Sequence, residues 1–512
     1  MINNFLGIMY LDPKTIYFPR RHVIVLLGCF GLLAVYTMRI NLSVAIVAMT
    51  NHNHTKTIPE NSTIEEVLEC PNLARNQSTN EVPSYKGEKY DWNPRIQGII
   101  LGAYYQGYVV TQLPGGILAE KFGAKWVFGG GVLATSIFSL LTPLAVSWGT
   151  TAFICVRVLQ GFADGVTAPS IQIAISKWSP KMERSRASTI IFSGVMAGEV
   201  IAMTLSGVLC GLDTFGGWPS VFYLFGGMGV LWCICWFLFM YETPDIHPSI
   251  SKEELFYIED NQDVQSEKNI SIPWKEMMLS APVWAFTFAV IGHSFGYIML
   301  MTELPTYLHT ILRYDLTSNG ILCAIPFILQ LVVSWIASWA ADKLRTTNKF
   351  SITFIRKLFN TIGMSGPPIC LLAVTQSGCR PELIVALLSI GLGIDGCVFS
   401  GYNITAVDMT PNFSGTIYGI ANTIGSISGV IAPMVVAYFL HGGNTTANWS
   451  KIFYTTVAIY FICSAAFLAF GSAELQQWNS GKIEEKKEKD KETNISNPVI
   501  NHRISISETF KC

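Results

Sequence analysis

Charged side chains are scarce in this chain of 512 residues. Asp, Glu, Lys and Arg make up 13% of it, about half the share found in an ordinary soluble domain, whereas 50% of the residues are hydrophobic. The formal net charge is −1, so no basic or acidic excess points to a nucleic-acid partner. With a mean hydropathy of +0.39, the composition indicates a protein embedded in a lipid bilayer.

Signatures of enzymes, metal sites and disulfide frameworks are also missing. The twelve cysteines include no CxxC pair and no Cys/His cluster, and the chain has no nucleophile motif and no phosphate-binding P-loop. We therefore predict that the protein is not an enzyme and has no resident metal or cofactor. Cys70, Cys210 and Cys379 would lie on or near the outer side, and the sequence leaves open whether two of them form a disulfide.

Long apolar runs dominate the chain instead. A spanning helix needs about 20 residues, and in hydrocarbon the backbone must satisfy its own hydrogen bonds, so each run is predicted to be a helix. The first run is longer than the signal-peptide core of about 7–15 residues and lacks a small-residue cleavage site, which favours a spanning helix. Twelve such segments are predicted: 23–49, 96–118, 125–147, 151–175, 187–210, 218–240, 281–303, 317–341, 354–375, 382–406, 415–440 and 452–473.

The placement of basic residues predicts the orientation and the domain organisation. Twelve crossings put both termini on one side, and most Lys and Arg of the connections fall on that side, which the positive-inside rule makes cytoplasmic. The predicted parts are a cytoplasmic N-terminus (1–22), an N-terminal six-helix bundle (23–240), a cytoplasmic central loop (241–280), a C-terminal six-helix bundle (281–475) and a disordered cytoplasmic tail (476–512).

The large loop at 50–95 then faces outward. It contains three N-x-S/T sequons, at Asn53, Asn61 and Asn76. Because such sequons are modified only on the outer side of the membrane, we predict that these three asparagines are glycosylated.

The connection between the second and third segments carries a recognisable motif. Residues 115–125 read GGILAEKFGAK, and SWAADKLR at 338–345 is a weaker copy six segments later. The pattern resembles the loop motif of the major facilitator superfamily, and its repetition resembles the two halves of that fold. An acid at a helix end and basic residues beside it could gate rocking of the halves, although a basic inner loop that merely obeys topology is the alternative. The predicted gating residues are Gly116, Glu120, Lys121, Gly123, Lys125, Asp342, Lys343 and Arg345.

Four further stretches resemble the anion:cation symporter family, which includes sialin, the vesicular glutamate transporters and the type I sodium–phosphate cotransporters. They are YTMRINLSVA at 36–45, LGAYYQGYVVTQLPGG at 101–116, RVLQGFADGVTAP at 157–169, and SGYN with DMTP at 400–411. TELPTY at 302–307 is similar to insect inorganic phosphate cotransporters. The resemblance implies an all-α membrane protein with the major facilitator fold, 12 transmembrane helices in two pseudo-symmetric six-helix bundles.

Two arginines lie well inside predicted spanning segments, away from the segment ends. Burying an Arg at bilayer depth costs about 2.5–3.5 kcal/mol, so Arg39 and Arg157 each need a compensating negative charge. Two guanidinium groups facing one cavity would bind a carboxylate or phosphate through forked hydrogen bonds. The alternative is that each Arg is paired with a fixed acid and never meets substrate.

Three intramembrane acids are candidates for cation or proton coupling. Asp164 follows Arg157 by seven residues, or about 10 Å along one helix face, and it is one methylene shorter than the Glu common in the resembling family. Glu199 and Asp395 are acids that the family pattern does not require. The alternatives for all three are a static ion pair or contact with water.

Two more residues are assigned to the substrate site. Tyr108 retains a tyrosine that lines the family's cavity, and His293 stands where vesicular glutamate transporters carry an Arg; interhelix packing is the alternative for both. Leu101 and Ala406 replace family histidines, which argues against a glutamate substrate.

These features together favour one function over its alternatives. We expect a monomeric secondary active transporter that carries a small anion in symport with a cation by alternating access, with inorganic phosphate and Na+ favoured, at the plasma membrane rather than a lysosomal or vesicular membrane. The alternatives are an H+-coupled transporter of an organic anion, such as a sialic acid or an acidic amino acid, and an anion channel or transport-inactive sensor.

Overall fold

The computed structural model describes residues 19–51, 88–211, 216–261 and 272–480, and within them the regular elements are all helical. The sequons at Asn53, Asn61 and Asn76, and most of the predicted tail, lie outside these residues. The helices are α1 (Arg20–Met49), α2 (Pro94–Phe122), α3 (Ala124–Trp148), α4 (Thr150–Asp164), α5 (Thr167–Trp178), α6 (Lys181–Gly211), α7 (Trp218–Phe239), α8 (Lys252–Asp260), α9 (Trp274–Leu279), α10 (Ala281–Thr310), α11 (Leu316–Thr346), α12 (Ile352–Gln376), α13 (Pro381–Asp395), α14 (Tyr402–Met409), α15 (Ser414–Ser426), α16 (Ser428–Leu440) and α17 (Thr446–Phe470).

Each of the twelve predicted apolar segments coincides with one helix or with consecutive helices. Ten helical stretches are long and apolar enough to cross a membrane. The other two segments correspond to α2, which has 29 residues, and to the pair α4 and α5, with 15 and 12 residues. These segments carry many of the polar and charged residues assigned to the site, which lowers their hydropathy. The number of twelve crossings therefore stays a prediction.

Short polar residues begin several of these helices. Asn93 accepts a hydrogen bond from the backbone N–H of Ile96, with Pro94 in the first turn, and Asp315 and Ser351 cap α11 and α12 in the same way. Such caps satisfy backbone donors that the first helical turn leaves free, so they fix where each helix begins.

The fourth and tenth segments are interrupted at an aspartate. Asp164 is the last residue of α4, and Gly165 separates it from α5; a Cβ at Gly165 would collide with the side chain of Thr111 in α2. Asp395 is the last residue of α13, and a 3-10 helix (Gly396–Phe399) follows it. Each segment was predicted as one continuous helix. Hydropathy does not show where a neighbouring helix comes close enough to interrupt it.

The two halves of the chain touch closely at one end, which we call the outer end in keeping with the predicted orientation. A Cβ built at Gly98 of α2 would lie 2.7 Å from the carbonyl oxygen of Pro433 in α16. One built at Gly320 of α11 would lie 2.6 Å from the carbonyl oxygen of Met203 in α6. A buried apolar cluster, which includes Ile40, Val44 and Tyr105 from the first half, fills the space between these crossings. We call this set of contacts the outer seal.

At the opposite, inner end, the short helix α8 packs against helices of the first half. Glu254 of α8 accepts hydrogen bonds from the backbone N–H groups of Arg20 and Arg21, at 3.0 and 3.1 Å, and so caps α1. Arg21 also pairs with Glu183 of α6, to which the Tyr257 hydroxyl donates. Partial burial and the Glu183 carboxylate raise the pKa of Tyr257, which keeps this donor protonated. The first part of the central loop is therefore held to α1 and α6.

Two of the cysteines discussed for the outer side differ in their state. Cys210 is a free, buried thiol, so it takes part in no disulfide. Cys379 is disulfide-bonded.

Candidate functional site

Arg39 and Asp164 form an ion pair on the inner side of the outer seal. The guanidinium donates to Asp164 Oδ2 through Nη2 and, at 3.1 Å, through Nε. The Tyr104 hydroxyl donates to the same oxygen at 2.6 Å, and the Thr167 hydroxyl donates to Oδ1 at 2.7 Å. Asp164 is fully buried, so this network offsets the cost of desolvating its carboxylate. The negative charge that compensates Arg39 is therefore Asp164.

Three tyrosine rings surround the Arg39 guanidinium. Its central carbon lies 4.4 Å from the ring centroids of Tyr36 and Tyr108 and 5.5 Å from that of Tyr104. Cation–π attraction at such distances, in a desolvated place, holds the guanidinium in one position. The Arg39 side chain keeps only 9% of its surface exposed.

Arg157 has a different environment, although it is 2% exposed. Its Nη1 donates to Gln160 Oε1 at 2.7 Å, its Nη2 reaches the backbone oxygen of Arg39 at 3.4 Å, and its Nε has no hydrogen-bond partner. Its central carbon lies 4.8 Å from the Tyr104 ring centroid. Among the described residues no carboxylate pairs with it, so Arg157 is a buried cation without a counter-ion.

The C-terminal half holds a second buried acid–base pair. His293 Nε2 and Asp395 Oδ2 are 2.9 Å apart, and Gln330 Nε2 donates to the same oxygen at 3.0 Å. The hydroxyl of Tyr402 lies 2.9 Å from His293 Nδ1. Asp395 is fully buried. Sequence analysis assigned His293 to substrate and Asp395 to coupling, whereas the structure brings the two together.

Glu199 lies between these two groups. It is 1% exposed, and neither carboxylate oxygen has a hydrogen-bond partner that meets normal geometry among the described residues. Tyr297 of α10 faces it, and the charges that act on it are those of Arg39 and His293. Glu199 therefore lies near a basic residue of each half.

Tyr108 links the Arg39 network to the other half. Gln112 Nε2 donates to the Tyr108 hydroxyl at 3.5 Å, and the Ser426 hydroxyl donates to Gln112 Oε1 at 3.4 Å. Because Ser426 ends α15, this chain of contacts crosses between the halves. Tyr36, Tyr104 and Gln112 were not predicted from the sequence. The only indication of their role was that they are polar or aromatic residues within apolar segments.

The predicted gating motif is arranged differently from expectation. Glu120 and Asp342 are exposed, and the acid at the start of α3 is Glu242, which accepts from the backbone N–H groups of Ala124 and Lys125 at 3.0 Å each and pairs with Lys177. An acid there is favoured by the dipole of α3. Glu242 was missed by sequence reasoning, although an acid directly after an apolar run was a signal for it.

The remaining residues of that motif lie around these acids. Gly123 adopts a φ of +94°, which only glycine takes without strain, between α2 and α3. Gly116 packs near Pro169. The basic side chains rest on aromatic rings: Lys121 on Phe122, Lys125 on Trp126 and Tyr241, and Lys343 on Trp339. Arg345 is exposed in the last turn of α11.

Spanning helices with a buried ion pair in each half define a multi-pass membrane transport protein, since charges inside a membrane mark ion and substrate paths. The model of the Major Facilitator Superfamily matches residues 28–433. The chain belongs to this superfamily and, within it, to the group of anion:cation symporters to which the following relatives belong.

Three relatives illustrate this group. A protein of Drosophila ananassae named "Putative inorganic phosphate cotransporter" is 37% identical over 91% of this chain and 96% of its own length. Sialin of Homo sapiens is 36% identical over 90% of each chain. Vesicular glutamate transporter 1 of Xenopus tropicalis is 33% identical over 91% of this chain and 77% of its own. These likenesses confirm the resemblance drawn from the sequence, and they identify a transporter rather than an enzyme.

Solved structures agree with the fold. A bacterial homolog of the human lysosomal transporter Spinster has a TM-score of 0.64 at 13% identity and covers 88% of this chain and 97% of its own. A D-xylose–proton symporter has a TM-score of 0.61 at 14% identity, with 88% and 99% covered. At such low identity these likenesses show the fold alone. They confirm the prediction of an all-α major facilitator fold.

Proposed function

We propose that this transporter carries a small anion in symport with a cation by alternating access, and that inorganic phosphate is the favoured anion. The observation that carries the proposal is the buried guanidinium of Arg157, which pairs with no carboxylate among the described residues and has an unpartnered Nε. A buried cation without a counter-ion is costly, and a bound anion would remove that cost.

The charges around Tyr104 add to this argument. Arg39 and Arg157 contribute two positive charges and Asp164 one negative charge, so the group carries a net charge of +1. Forked guanidinium donors match the oxygens of phosphate and carboxylate. Tyr108 lies on the side of this group that leads to the other half, which fits a substrate-lining role.

Phosphate is favoured by likeness to the Drosophila protein, whose printed name refers to an inorganic phosphate cotransporter. Sialin is almost as similar, at 36% identity, and this supports an organic acid as the second candidate. The three acids proposed for coupling are Asp164, Glu199 and Asp395. The sequence-based expectation is Na+, with a proton as the alternative, and the only cofactor-like species in the proposal is this co-transported cation.

Uptake by purified protein in liposomes tests the proposal. Labelled phosphate, sialic acid and glutamate are offered under an imposed Na+ gradient, an imposed H+ gradient and neither. We expect saturable phosphate uptake that rises above equilibrium when a cation gradient is imposed. Uptake that neither saturates nor shows trans-stimulation would indicate a channel instead, and the absence of uptake for every anion would refute the proposal.

Arg157→Ala is expected to lower the uptake of phosphate by about 10- to 100-fold, because a hydrogen bond to a charged group contributes about 1.5–3 kcal/mol. Arg157→Lys keeps the charge without the fork and should fall in between. Initial rates are compared at equal amounts of protein. Arg95→Ala, which removes an exposed Arg of α2, is the matched control and should transport as the unaltered protein does. Unchanged uptake by Arg157→Ala would remove Arg157 from the site.

A plasma-membrane location, cytoplasmic termini and a monomeric state complete the proposal. The orientation of the termini rests on the distribution of Lys and Arg, and the location on the predicted glycosylated outer loop. Surface biotinylation and antibody access to tags at both ends test the first two, and light scattering of the purified protein tests the third. Retention of all the protein in vesicles or lysosomes would contradict the proposed location.

A further inference from the structure

A buried aspartate ends the corresponding helix in each half of the molecule. Asp164 is the last residue of α4 and Asp395 the last residue of α13, and each is followed by glycine and a break in the helix. Both are fully buried. α4 belongs to the fourth apolar segment and α13 to the tenth, six segments later. The two acids therefore occupy related positions in the internal repeat of the fold.

The partners of the two acids also come from corresponding helices. Asp164 bonds to Arg39 of the first segment and to Tyr104 of the second. Asp395 bonds to His293 of the seventh segment and to Gln330 of the eighth. Each half thus builds one acid–base pair from its first, second and fourth segments.

The two bases differ in what they can do with a proton. An Arg stays protonated in proteins, so the pair of Arg39 with Asp164 keeps its basic member charged. His293 can be neutral or charged, and both of its ring nitrogens are engaged. In the neutral ring, Nε2–H donates to Asp395 and the Tyr402 hydroxyl donates to Nδ1. In the protonated ring, both nitrogens donate and the Tyr402 oxygen accepts, so one added proton takes the pair from a net charge of −1 to zero without a change of partners.

No permanent positive charge faces this pair among the described residues. The titratable groups around it are Glu199 of α6, Tyr297 of α10, Tyr402 of α14 with Tyr418 beside it, Tyr460 of α17 and Cys397 of the 3-10 helix. All of these are neutral or negative. His293 is therefore the basic partner of Asp395 in this group, and a proton on its imidazole would compensate the carboxylate.

Two orphaned acceptors point to such a ligand. Asp395 Oδ1 and Gln330 Oε1 are buried and have no hydrogen-bond partner among the described residues. Buried acceptors without a donor are costly, and a proton on the imidazole bonds to neither of them but lowers the net negative charge beside them. The imidazole of His293 already occupies one side of the carboxylate, which favours a proton over a metal ion that prefers several oxygens.

We propose that His293 and Asp395 form a proton-binding site of the C-terminal half, separate from the pair of Arg39 with Asp164. A proton from water enters at the imidazole when the cleft is open to one side and leaves to the other side after the halves have rocked. This inference deepens the proposed function and rests on it for the coupling role. Proton binding by the pair does not depend on transport.

The first experiment measures transport. The full-length protein in liposomes takes up labelled phosphate under an inward H+ gradient without Na+, and counterflow is measured at equal pH on both sides. We expect His293→Gln to reduce gradient-driven accumulation by at least about tenfold more than it reduces counterflow. His441→Gln, at an exposed connection, is the matched control and should change neither rate. Gradient-driven accumulation that survives in both His293→Gln and Asp395→Asn, or accumulation driven by Na+ alone, would overturn the inference.

The second experiment measures proton binding without transport. The thermal unfolding midpoint of the purified protein in detergent is followed against pH. The unaltered protein and His441→Gln should show a titration step that His293→Gln and Asp395→Asn both lack. The step still reports on the pair if no anion is transported, so failure of the proposed function and failure of this inference can be told apart. An identical profile in all four proteins would refute the site.

Discussion

Asp164 is the residue on which the charge of the N-terminal site depends. It receives four hydrogen bonds from Arg39, Tyr104 and Thr167. Asp164→Asn keeps the shape and removes the charge, so the net charge of the group rises from +1 to +2. We expect this variant to bind the anion at least as tightly but to lose cation-driven accumulation.

Equilibrium binding of labelled phosphate and gradient-driven uptake, measured on the same preparation, check this expectation. Asp91→Asn, which neutralises an exposed acid outside the site, is the matched control. Asn41→Asp would not serve, because it adds a buried charge. Normal cation dependence in Asp164→Asn would contradict a coupling role for Asp164.

The sequence allowed single residues of the site to be predicted, but not which of them form ion pairs with one another. Arg39, Arg157 and Asp164 stand out because charge inside an apolar run is expensive. Spacing along one helix put Arg157 and Asp164 on the same face, yet Asp164 bonds to Arg39, which is 125 residues away in the chain. Such a choice depends on how α1, α2 and α4 pack, and hydropathy carries no information about that packing.

At the scale of helices, glycine residues allow the backbones of α6 and α11 to approach closely where the two helices cross. A side chain at Gly320 would meet the carbonyl oxygen of Met203 at 2.6 Å and the Cα of Gly207 at 2.7 Å. Backbone cannot move aside as a flexible side chain can, so Gly320→Leu should push the helices apart at the outer seal. We expect outward opening to be favoured and the rate of transport to fall about tenfold or more.

Access of a membrane-impermeant thiol reagent to a cysteine introduced at Val44, a residue of the outer seal, checks this prediction. Labelling from outside should be faster in the Gly320→Leu background. Gly227→Leu is the matched control, because nothing lies within 4 Å of a Cβ at that glycine. Equal labelling in both backgrounds would show that the α6–α11 crossing does not hold the seal closed.

The contact of α8 with α1 makes a separate prediction. Glu254 is 5% exposed and accepts from two backbone N–H groups at the start of α1. Glu254→Gln leaves one acceptor and removes the charge that the helix dipole favours, so the free energy of unfolding should fall by about 1–2 kcal/mol. Thermal unfolding in detergent measures the change. Glu253→Gln, at the exposed neighbouring position, should leave the midpoint unchanged, and an equal midpoint for both variants would contradict the capping role.

Helix positions were predictable because the bilayer imposes both their length and their backbone hydrogen bonding. The segment predicted at 218–240 is the helix Trp218–Phe239, and the one at 281–303 begins where α10 begins. Breaks were not predictable, since those after Asp164 and Asp395 fall inside apolar runs and come from contacts with other helices. α8 was also missed, because a short charged helix in a polar connection is stabilised by its contacts with α1 and α6.

On the scale of the whole molecule, two halves repeat one plan with different chemistry. The N-terminal half holds Arg39, Arg157 and Asp164, the C-terminal half holds His293 and Asp395, and Glu199 lies between them. With a neutral His293 these groups carry two positive and three negative charges, a net charge of −1. One proton at His293 brings the sum to zero, and a monovalent anion at Arg157 returns it to −1. Binding both therefore leaves the buried net charge unchanged, which limits the cost of moving the loaded site through the membrane.

Alternating access requires the outer seal to open, and this makes the last prediction. A Cβ at Gly98 of α2 would lie 2.9 Å from the Cβ of Ala437 in α16, shorter than the roughly 3.5–4.5 Å of a disulfide, so a small separation of the helices allows the bond. Oxidation of the double variant Gly98→Cys with Ala437→Cys should lock the outer end and reduce phosphate uptake to background.

Reduction should restore that uptake, because the lock is covalent and reversible. Each single variant and the unaltered protein receive the same oxidant and reductant, which corrects for the native cysteines, including the disulfide-bonded Cys379. A fully cross-linked double variant that transports at the rate of its reduced form would show that the halves do not part at α2 and α16. Transport by rocking about the buried charges would then be untenable, whereas the loss and recovery of uptake together would tie the outer seal to the transport cycle.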